Sequence, residues 1–184
     1  MDWACVSRAL LCALMASLLC SRPAATEPQS ASEYDLKAAY LYNFTKFTSW
    51  PEGSFPTAQS PMVVGVLGDE RFIAALESVT RGRPVGGHVV SVKAWSPQLG
   101  TAGLHVLYVE SAYEAQLAKM VGAFVVRGLL TVGETDAFMA SGGAIRLVVD
   151  GDRLLFEISA PATERAGLTL SSQLLMLAKA VRKN

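Results

Sequence analysis

The sequence has 184 residues, of which 51% are hydrophobic and 17% are charged. A chain of this length and composition can bury a hydrophobic core within one globular domain. Its 16 basic and 16 acidic side chains give a formal net charge of 0, which argues against nucleic-acid binding because phosphate recognition calls for a basic surface.

The N-terminal segment has the order of a secretory signal peptide. Arg8 precedes an apolar run from Ala9 to Cys20, and small or helix-breaking residues follow from Ser21 to Ala25. The apolar run is shorter than the roughly 20 residues that a membrane-spanning helix needs. We therefore predict an exported chain whose signal peptide, residues 1–25, is removed after Ala25, with the periplasm as its compartment.

The positions of the cysteines decide whether the exported chain can form disulfides or carry a lipid anchor. All three of them (Cys5, Cys12 and Cys20) lie in the predicted signal peptide, so the predicted mature chain has neither a disulfide nor thiol chemistry. A lipoprotein would carry its lipid on Cys20, but Leu19 is a poor fit for the small residue expected before a lipidated cysteine. Lipidation of Cys20 stays as the alternative to release of a free domain.

After a polar, mobile leader at residues 26–32, the stretch from Glu33 to Pro51 predicts the first helix of a single domain that covers residues 33–184. Apolar and aromatic side chains recur at helical spacing, and Pro51 disfavours helix at the residue before it. The stretch has more aromatic rings than one solvated helix needs, so we expect it to pack on a sheet with aromatic surface to spare at one end. The predicted core-facing side consists of Leu36, Tyr40, Phe44 and Phe47, with Asn43 as a buried amide beside them.

The following part of the chain alternates between strand and helix. Met62–Leu67 is a continuous apolar run, typical of a strand buried on both faces, and Asp69 and Glu70 open the helix behind it. Such alternation predicts βαβ units with right-handed crossovers. The further predicted strands are 88–95, 104–109 and 129–132, and the further predicted helices are 113–121 and 135–140.

The C-terminal part changes pattern. Strand-like runs at 144–149 and 153–158 flank Asp150-Gly151-Asp152, and an Asp-Gly pair between apolar runs is a hairpin signal. A last helix is predicted from Thr169 to Arg182, with Thr169, Ser171 or Ser172 as its cap. The predicted fold class is therefore α/β, with a mostly parallel sheet flanked by helices and a terminal antiparallel hairpin strand. The apolar face of the last helix consists of Leu170, Leu174, Leu177 and Val181.

A possible ligand loop lies where two predicted strands end. Gly68 and Asp69 follow the first strand and open a helix, and Ser111 follows a later strand at the same edge. Helix N-termini at the carboxyl ends of parallel strands offer free N–H groups, so a small ligand could bind there. The loop has neither the GxGxxG pattern nor a lysine for phosphate, and a tight turn capped by Asp69 is the simpler explanation.

The other polar residues do not combine into a catalytic or metal-binding pattern. His88 and His105 fall in different predicted strands, with no partner at metal-ligand spacing and no serine elbow or cysteine beside them. Ser141-Gly142-Gly143 is explained as a helix end rather than an anion-binding nest, and Asp150 and Asp152 as a solvated hairpin tip. The sequence therefore favours a binding protein without catalysis, cofactor or metal.

Four blocks of the sequence resemble the YfiR family of periplasmic regulators. The specific ones are EYDLKAAYLYNFTKFTSWPEGSF at Glu33–Phe55 and AGLTLSSQLLMLAKAV at Ala166–Val181. The blocks VVGVLGDERF at Val63–Phe72 and GGAIRLVVDGDRLLFEIS at Gly142–Ser159 accompany them. The resemblance covers nearly all of the predicted mature chain.

The resemblance implies a non-enzymatic and usually dimeric periplasmic domain. Such a domain represses an inner-membrane diguanylate cyclase of YfiN type by binding the periplasmic sensor region of the cyclase. An OmpA-like, peptidoglycan-associated lipoprotein sequesters the repressor, so that cyclic-di-GMP rises and biofilm formation follows. Redox control through disulfides, as in some members, cannot carry over to a mature chain without cysteine. A periplasmic small-ligand binding protein stays as the alternative function.

The predicted partner-binding residues are Tyr42, Trp50 and Phe55, which lie near the end of the first helix and just after it. Aromatic side chains supply large contact areas at little entropic cost, which suits a binding surface. Core packing or a dimer interface would explain the same three rings equally well.

Overall fold

The computed structural model describes residues 27–117 and 126–183, with side chains from residue 33 onward. The predicted signal peptide at 1–25 and the second half of the predicted helix 113–121 lie outside these described residues. Residues 31–184 form one compact unit. Within the described residues, none of the helices is both long and apolar enough to cross a membrane.

A seven-stranded sheet forms the centre of this unit, in the order β3-β2-β4-β5-β6-β7-β9. Strands β2 to β6 run parallel, β7 is antiparallel to β6, and β9 is parallel to β7. A separate antiparallel pair joins β1 to β8. The strands are β1 (Thr48–Ser49), β2 (Met62–Leu67), β3 (Val90–Ala94), β4 (Val106–Val109), β5 (Leu130–Gly133), β6 (Ile145–Asp150), β7 (Arg153–Ser159), β8 (Thr169–Leu170) and β9 (Ala180–Arg182).

Helices cover both faces of the sheet, which confirms the predicted α/β class. Successive β4 residues point to opposite faces, as the strand period of two requires. Tyr108 joins the core beneath the first two helices, and Leu107 joins the core beneath the next two. The helices are α1 (Glu27–Lys46), α2 (Glu70–Thr80), α3 (Ser111–Leu117), α4 (Asp136–Ala140), α5 (Ala160–Arg165) and α6 (Ser172–Leu177).

Helix α1 differs from its prediction in both extent and orientation. It begins at Glu27, so most of the predicted leader is helical, and it ends at Lys46 before the two-residue strand β1. Its buried side is rotated from the predicted one, because Lys37 is buried while Leu36 is 42% exposed. Asn43 is exposed rather than buried, since it lies about 200° around the helix from the buried Leu41.

The segment after β7 is the largest departure from the sequence prediction. The single helix predicted from Thr169 to Arg182 is wrong: this segment forms β8, the short helix α6 and β9. Ser171 does cap α6 by accepting a hydrogen bond from Leu174 N, but the helix ends at Leu177, which is 65% exposed. The hairpin strand β7 is therefore not terminal, because β9 continues the sheet beyond it.

Several local predictions are confirmed by backbone geometry. The Asp69 side chain caps α2 by accepting a hydrogen bond from Arg71 N at 2.8 Å. Gly151 takes a left-handed φ of 59° at the tip of the β6–β7 hairpin, as the Asp-Gly signal requires. Ser141 forms the C-cap of α4, which agrees with the helix-end interpretation of Ser141-Gly142-Gly143.

Candidate functional site

The aromatic loop, residues 50–61, lies at the amino ends of the central strands and contains two of the predicted partner-binding residues. The Phe55 ring stacks between the imidazoles of His88 and His105, with centroid distances of 3.8 and 4.2 Å and interplanar angles of 10° and 13°. Trp50 meets Phe55 edge to face at 6.3 Å. Both aromatic residues are half-buried, so the loop presents a partly exposed aromatic surface that is anchored from below.

Hydrogen bonds from the two histidines fix the backbone of this loop. His105 Nε2 lies 3.0 Å from the carbonyl oxygen of Ser54, and His88 Nδ1 lies 2.6 Å from the carbonyl oxygen of Ser60. The Trp50 indole N–H donates to the carbonyl oxygen of His105 at 3.3 Å. The loop is thus tied to the sheet on both sides of Phe55, which limits the entropy that binding would cost.

The surroundings of His105 specify its neutral form. Its Nδ1 accepts the backbone N–H of Val63 at 3.0 Å, so the ring proton lies on Nε2 and is donated to Ser54. Burial is the main cause that lowers the pKa of His105 below its ordinary value, and the nearby His88 lowers it further, against the opposing hydrogen bond to Ser54. His105 is therefore a neutral structural donor and acceptor at neutral pH.

Tyr42, the third predicted partner-binding residue, shares no ring contact with Trp50 or Phe55. It is half-buried on α1, one turn before the helix ends, and the Lys46 ammonium lies 5.6 Å from the centre of its ring. The structure thus brings Trp50 and Phe55 together, while Tyr42 contributes a separate aromatic and basic surface on the helix.

The predicted ligand loop lies at the opposite edge of the sheet, where β2 and β4 end. The chain reverses its direction of winding between these two strands, so a crevice between them is the usual ligand position in an open α/β sheet. The structure brings Gly68, Asp69 and Ser111 to this edge on either side of Glu110. A side chain at Gly68 would meet the Glu110 carboxylate at 3.0 Å.

Carboxylates of the chain itself occupy the N–H groups at this edge. Glu110 Oε2 accepts the backbone N–H of Asp69 at 2.8 Å, and Glu114 Oε1 accepts that of Glu134 at 2.5 Å. Glu134 Oε2 lies 3.3 Å from the backbone nitrogen of Ser111. An anionic ligand at this edge would have to displace these groups, so the geometry disfavours it.

A buried lysine balances part of this negative charge. Lys37 Nζ on α1 lies 2.7 Å from Glu134 Oε1 and 2.7 Å from Glu33 Oε1. The Tyr108 hydroxyl also donates to Glu134 Oε1. Desolvation raises the pKa of Glu134, but the hydrogen bonds from Lys37 and Tyr108 outweigh it and hold the pKa below its ordinary value. The arrangement joins α1 to the ends of β4 and β5 and is structural.

A cavity of about 240 Å³ adjoins Ser111, with Glu114, Thr135 and Phe138 in its wall. Both oxygens of the Glu114 carboxylate already accept hydrogen bonds, from the backbone of Glu134 and from the Thr135 side chain and backbone. The cavity therefore presents mainly apolar surface, and among its described lining residues no charged group is free to orient a ligand.

The described residues contain no cluster of three histidine, cysteine or acidic side chains that could hold a metal ion. His88 and His105 lie on opposite faces of Phe55, so the ring separates the two imidazoles. Their hydrogen-bond partners are backbone groups, and neither imidazole is paired there with a serine hydroxyl.

Sequence reasoning missed the association of the two histidines with Phe55. A signal was available, because each histidine lies just before an observed strand, β3 or β4, and the amino ends of parallel strands meet at one edge. It also missed Lys37, whose burial beside Glu134 depends on how α1 is rotated on the sheet.

Comparison with known proteins decides the family. The family model DUF4154, described as YfiR/HmsC-like, matches residues 34–179. The chain belongs to this family. YfiR/HmsC-like proteins form a regulatory family. A search of curated proteins gave no match.

One solved structure shares the fold at low sequence identity. A conserved domain protein from Vibrio cholerae O1 biovar El Tor is 11% identical with a TM-score of 0.53, and the match covers 79% of this chain and 60% of that protein. The chain thus spans about 60% of the length of this relative. An ABC domain in complex with L-Trp from Streptococcus pneumoniae is 14% identical with a TM-score of 0.45, and that match covers 66% and 55% of the two chains.

Proposed function

We propose that this YfiR/HmsC-like domain is a non-enzymatic periplasmic regulator that binds the periplasmic sensor region of an inner-membrane diguanylate cyclase and represses cyclic-di-GMP synthesis. The family match over residues 34–179 carries the proposal. The free domain shifts the cyclase only by the difference between its affinities for the two conformations of the sensor region.

The aromatic loop supports a binding role. A preorganised aromatic surface loses little entropy on association, and Trp50 and Phe55 are held by stacking and by hydrogen bonds to their neighbours. We assign Trp50 and Phe55 to the partner-binding surface, with Tyr42 and its cationic neighbour Lys46 as a second contact.

Two further partners belong to the proposal. An OmpA-like, peptidoglycan-associated lipoprotein would relieve repression by competing for the same surface. The regulator would act as a homodimer in the periplasm after removal of residues 1–25. Competition follows from shared use of the aromatic surface, and it needs no conformational change in the domain.

The small-ligand function is less well supported by the geometry. Glu110 accepts the backbone N–H of Asp69 and Glu134 accepts that of Ser111, so a ligand at Gly68, Asp69 and Ser111 would have to displace both carboxylates. The regulator proposal needs only an exposed surface, which the aromatic loop supplies.

The test is binding of the purified domain to the sensor region of a candidate cyclase, with cyclase activity followed in parallel. We expect a stable complex and lowered activity. Trp50→Ala and Tyr42→Ala should each weaken binding by roughly tenfold or more, as for interface hot spots. Leu99→Ala is the matched control, because Leu99 is an exposed apolar residue (68%) outside the proposed surface and its truncation should leave affinity unchanged. A folded domain that does not bind at high micromolar concentration would contradict the proposal.

A further inference from the structure

The two histidines of the chain do more than fill space beneath the aromatic loop. Each imidazole stacks on one face of Phe55 and also hydrogen-bonds a backbone carbonyl of the same loop, at Ser54 and at Ser60. The chain contains no other histidine. All of its imidazole chemistry is therefore concentrated on this one loop.

The two imidazoles differ in how they tolerate a proton. His88 donates from Nδ1 to a carbonyl oxygen, and an added proton on Nε2 leaves that bond intact. His105 uses Nδ1 to accept the backbone N–H of Val63, and protonation would place two donors face to face at 3.0 Å. Protonated His105 must therefore lose its contact with Val63, which removes one of the two hydrogen bonds that hold its ring against Phe55.

We propose that His88 and His105 form an acid-sensitive clamp that holds the aromatic loop at neutral pH and releases it when His105 takes up a proton. His88 holds the other face of Phe55 through stacking and through its hydrogen bond to the carbonyl oxygen of Ser60. This gives the proposed partner surface a pH-dependent state without any cysteine or metal. The link to partner binding rests on the proposed function, whereas release of the loop does not.

Among the described residues, no charged group near the clamp is placed to stabilise protonated His105. Glu52 in the loop, Arg83 in the turn before His88 and Arg127 beside Gly128 are the charged residues of the adjoining segments. None of them forms an ion pair with either imidazole in the described part of the chain. Burial of His105 and its electrostatic interaction with His88 both lower the pKa of His105, so release requires pH below the ordinary histidine value of about 6.5.

The first test uses nuclear magnetic resonance of the free protein, whose two histidines give two ring signals. We expect the His105 ring to titrate below about pH 6.5, with the amide of Val63 and the indole of Trp50 changing at the same midpoint. The amide of Thr131, buried in β5, reports global unfolding and should stay constant over this range. An unchanged Val63 amide while His105 titrates would overturn the proposal.

A single variant tests the electrostatic influence of His88 on the pKa of His105. His88→Asn keeps a side-chain N–H donor for the Ser60 carbonyl but cannot become charged. We expect the midpoint of His105 to rise towards its ordinary value in this variant. A midpoint that stays the same or falls would overturn the coupled clamp, and the ring signal of His105 itself reports whether the variant is folded.

A third experiment distinguishes failure of the clamp from failure of the proposed regulator function. Binding of the cyclase sensor region is measured at two pH values, about one unit above and about one unit below the His105 midpoint that the resonance titration gives. If binding needs neutral His105, affinity should fall roughly tenfold for each pH unit below its pKa. Absence of binding at both values, with the loop still released by acid, would contradict the regulator and leave the clamp standing. Equal binding at both values would overturn the regulatory link.

Discussion

The Nζ atom of Lys37 lies 2.7 Å from Oε1 of Glu134, and the two side chains are only 7% and 12% exposed. This contact ties the first helix of the domain to the end of a central strand. The hydroxyl of Tyr108 meets the same carboxylate, so three elements converge on one buried charge. Desolvation lowers the pKa of Lys37, but its hydrogen bonds to Glu134 and Glu33 outweigh that effect and raise the pKa overall.

Removing the lysine should destabilise the domain strongly. Lys37→Met leaves the Glu134 carboxylate without its counter-charge, and we expect a loss of about 3 kcal/mol in the free energy of unfolding. Urea denaturation measures it. Lys37→Met combined with Glu134→Gln should recover part of the loss, because the unpaired charge is gone. Lys46→Met, at an exposed position of the same helix, is the control and should stay within roughly 0.5 kcal/mol of the parent.

Gly143 should not tolerate a side chain, for steric reasons. A Cβ atom at Gly143 would overlap the ring of Phe138, which is buried beneath it. Gly143→Ala should therefore cost about 1–3 kcal/mol by overpacking. Phe138→Leu in the Gly143→Ala background should reduce the penalty, as a double-mutant cycle of thermal or urea unfolding would show. Additive effects of the two changes would contradict a direct clash.

The C-terminal strand should depend on Arg182. The Arg182 guanidinium lies 2.7 Å from Glu157 on β7 and 2.9 Å from Asp136 on α4. Arg182→Ala should lower stability only modestly, since Arg182 is partly exposed and solvent screens its ion pairs. Hydrogen exchange should increase at Lys179, whose backbone N–H donates to Phe156 O at 2.8 Å. Arg182→Lys keeps the charge but loses the two-pronged geometry, so its effect should be intermediate.

Stability should also fall in strong acid, separately from release of the loop. Burial raises the pKa of Glu157, but hydrogen bonds from Arg182 and Arg146 outweigh it and hold the pKa below the ordinary value of 4.5. A carboxyl with a lowered pKa in the folded state stabilises fully above its unfolded pKa and loses that contribution as pH falls through its folded pKa. Urea midpoints should therefore decline below about pH 4.5, and Glu157→Gln should flatten the decline. The same slope in parent and variant would contradict this assignment.

Local sequence signals were reliable where neighbouring residues decide the structure. The apolar run Met62–Leu67 became β2 with the predicted bounds, because a strand covered on both faces needs apolar side chains throughout. The cap at Asp69 and the turn at Gly151 followed their signals, since each is decided by contacts within a few residues. The resemblance of the end blocks to the YfiR family agrees with the family match.

Helical spacing of apolar residues gave wrong predictions where contacts with distant parts of the chain decide the structure. Leu170, Leu174, Leu177 and Val181 fit one helical face, yet Val181 pairs with Ile158 in the sheet. Ser159 caps the additional helix α5, whose first turn contains Pro161, a helix-start signal just after the predicted strand 153–158 that the sequence prediction did not use. In α1, the periodicity placed Leu36 inward, although the structure buries Lys37 instead.

The sequence by itself determined the α/β class, most strand positions and the family, because hydrophobic periodicity and turn chemistry act over short distances. Tertiary structure alone decided that Lys37 is buried, that β9 extends the sheet and that Phe55 lies between His88 and His105. Each of these features joins residues far apart in the chain, such as Phe55 and His105. Their proximity depends on strand order and helix rotation, which no local pattern specifies.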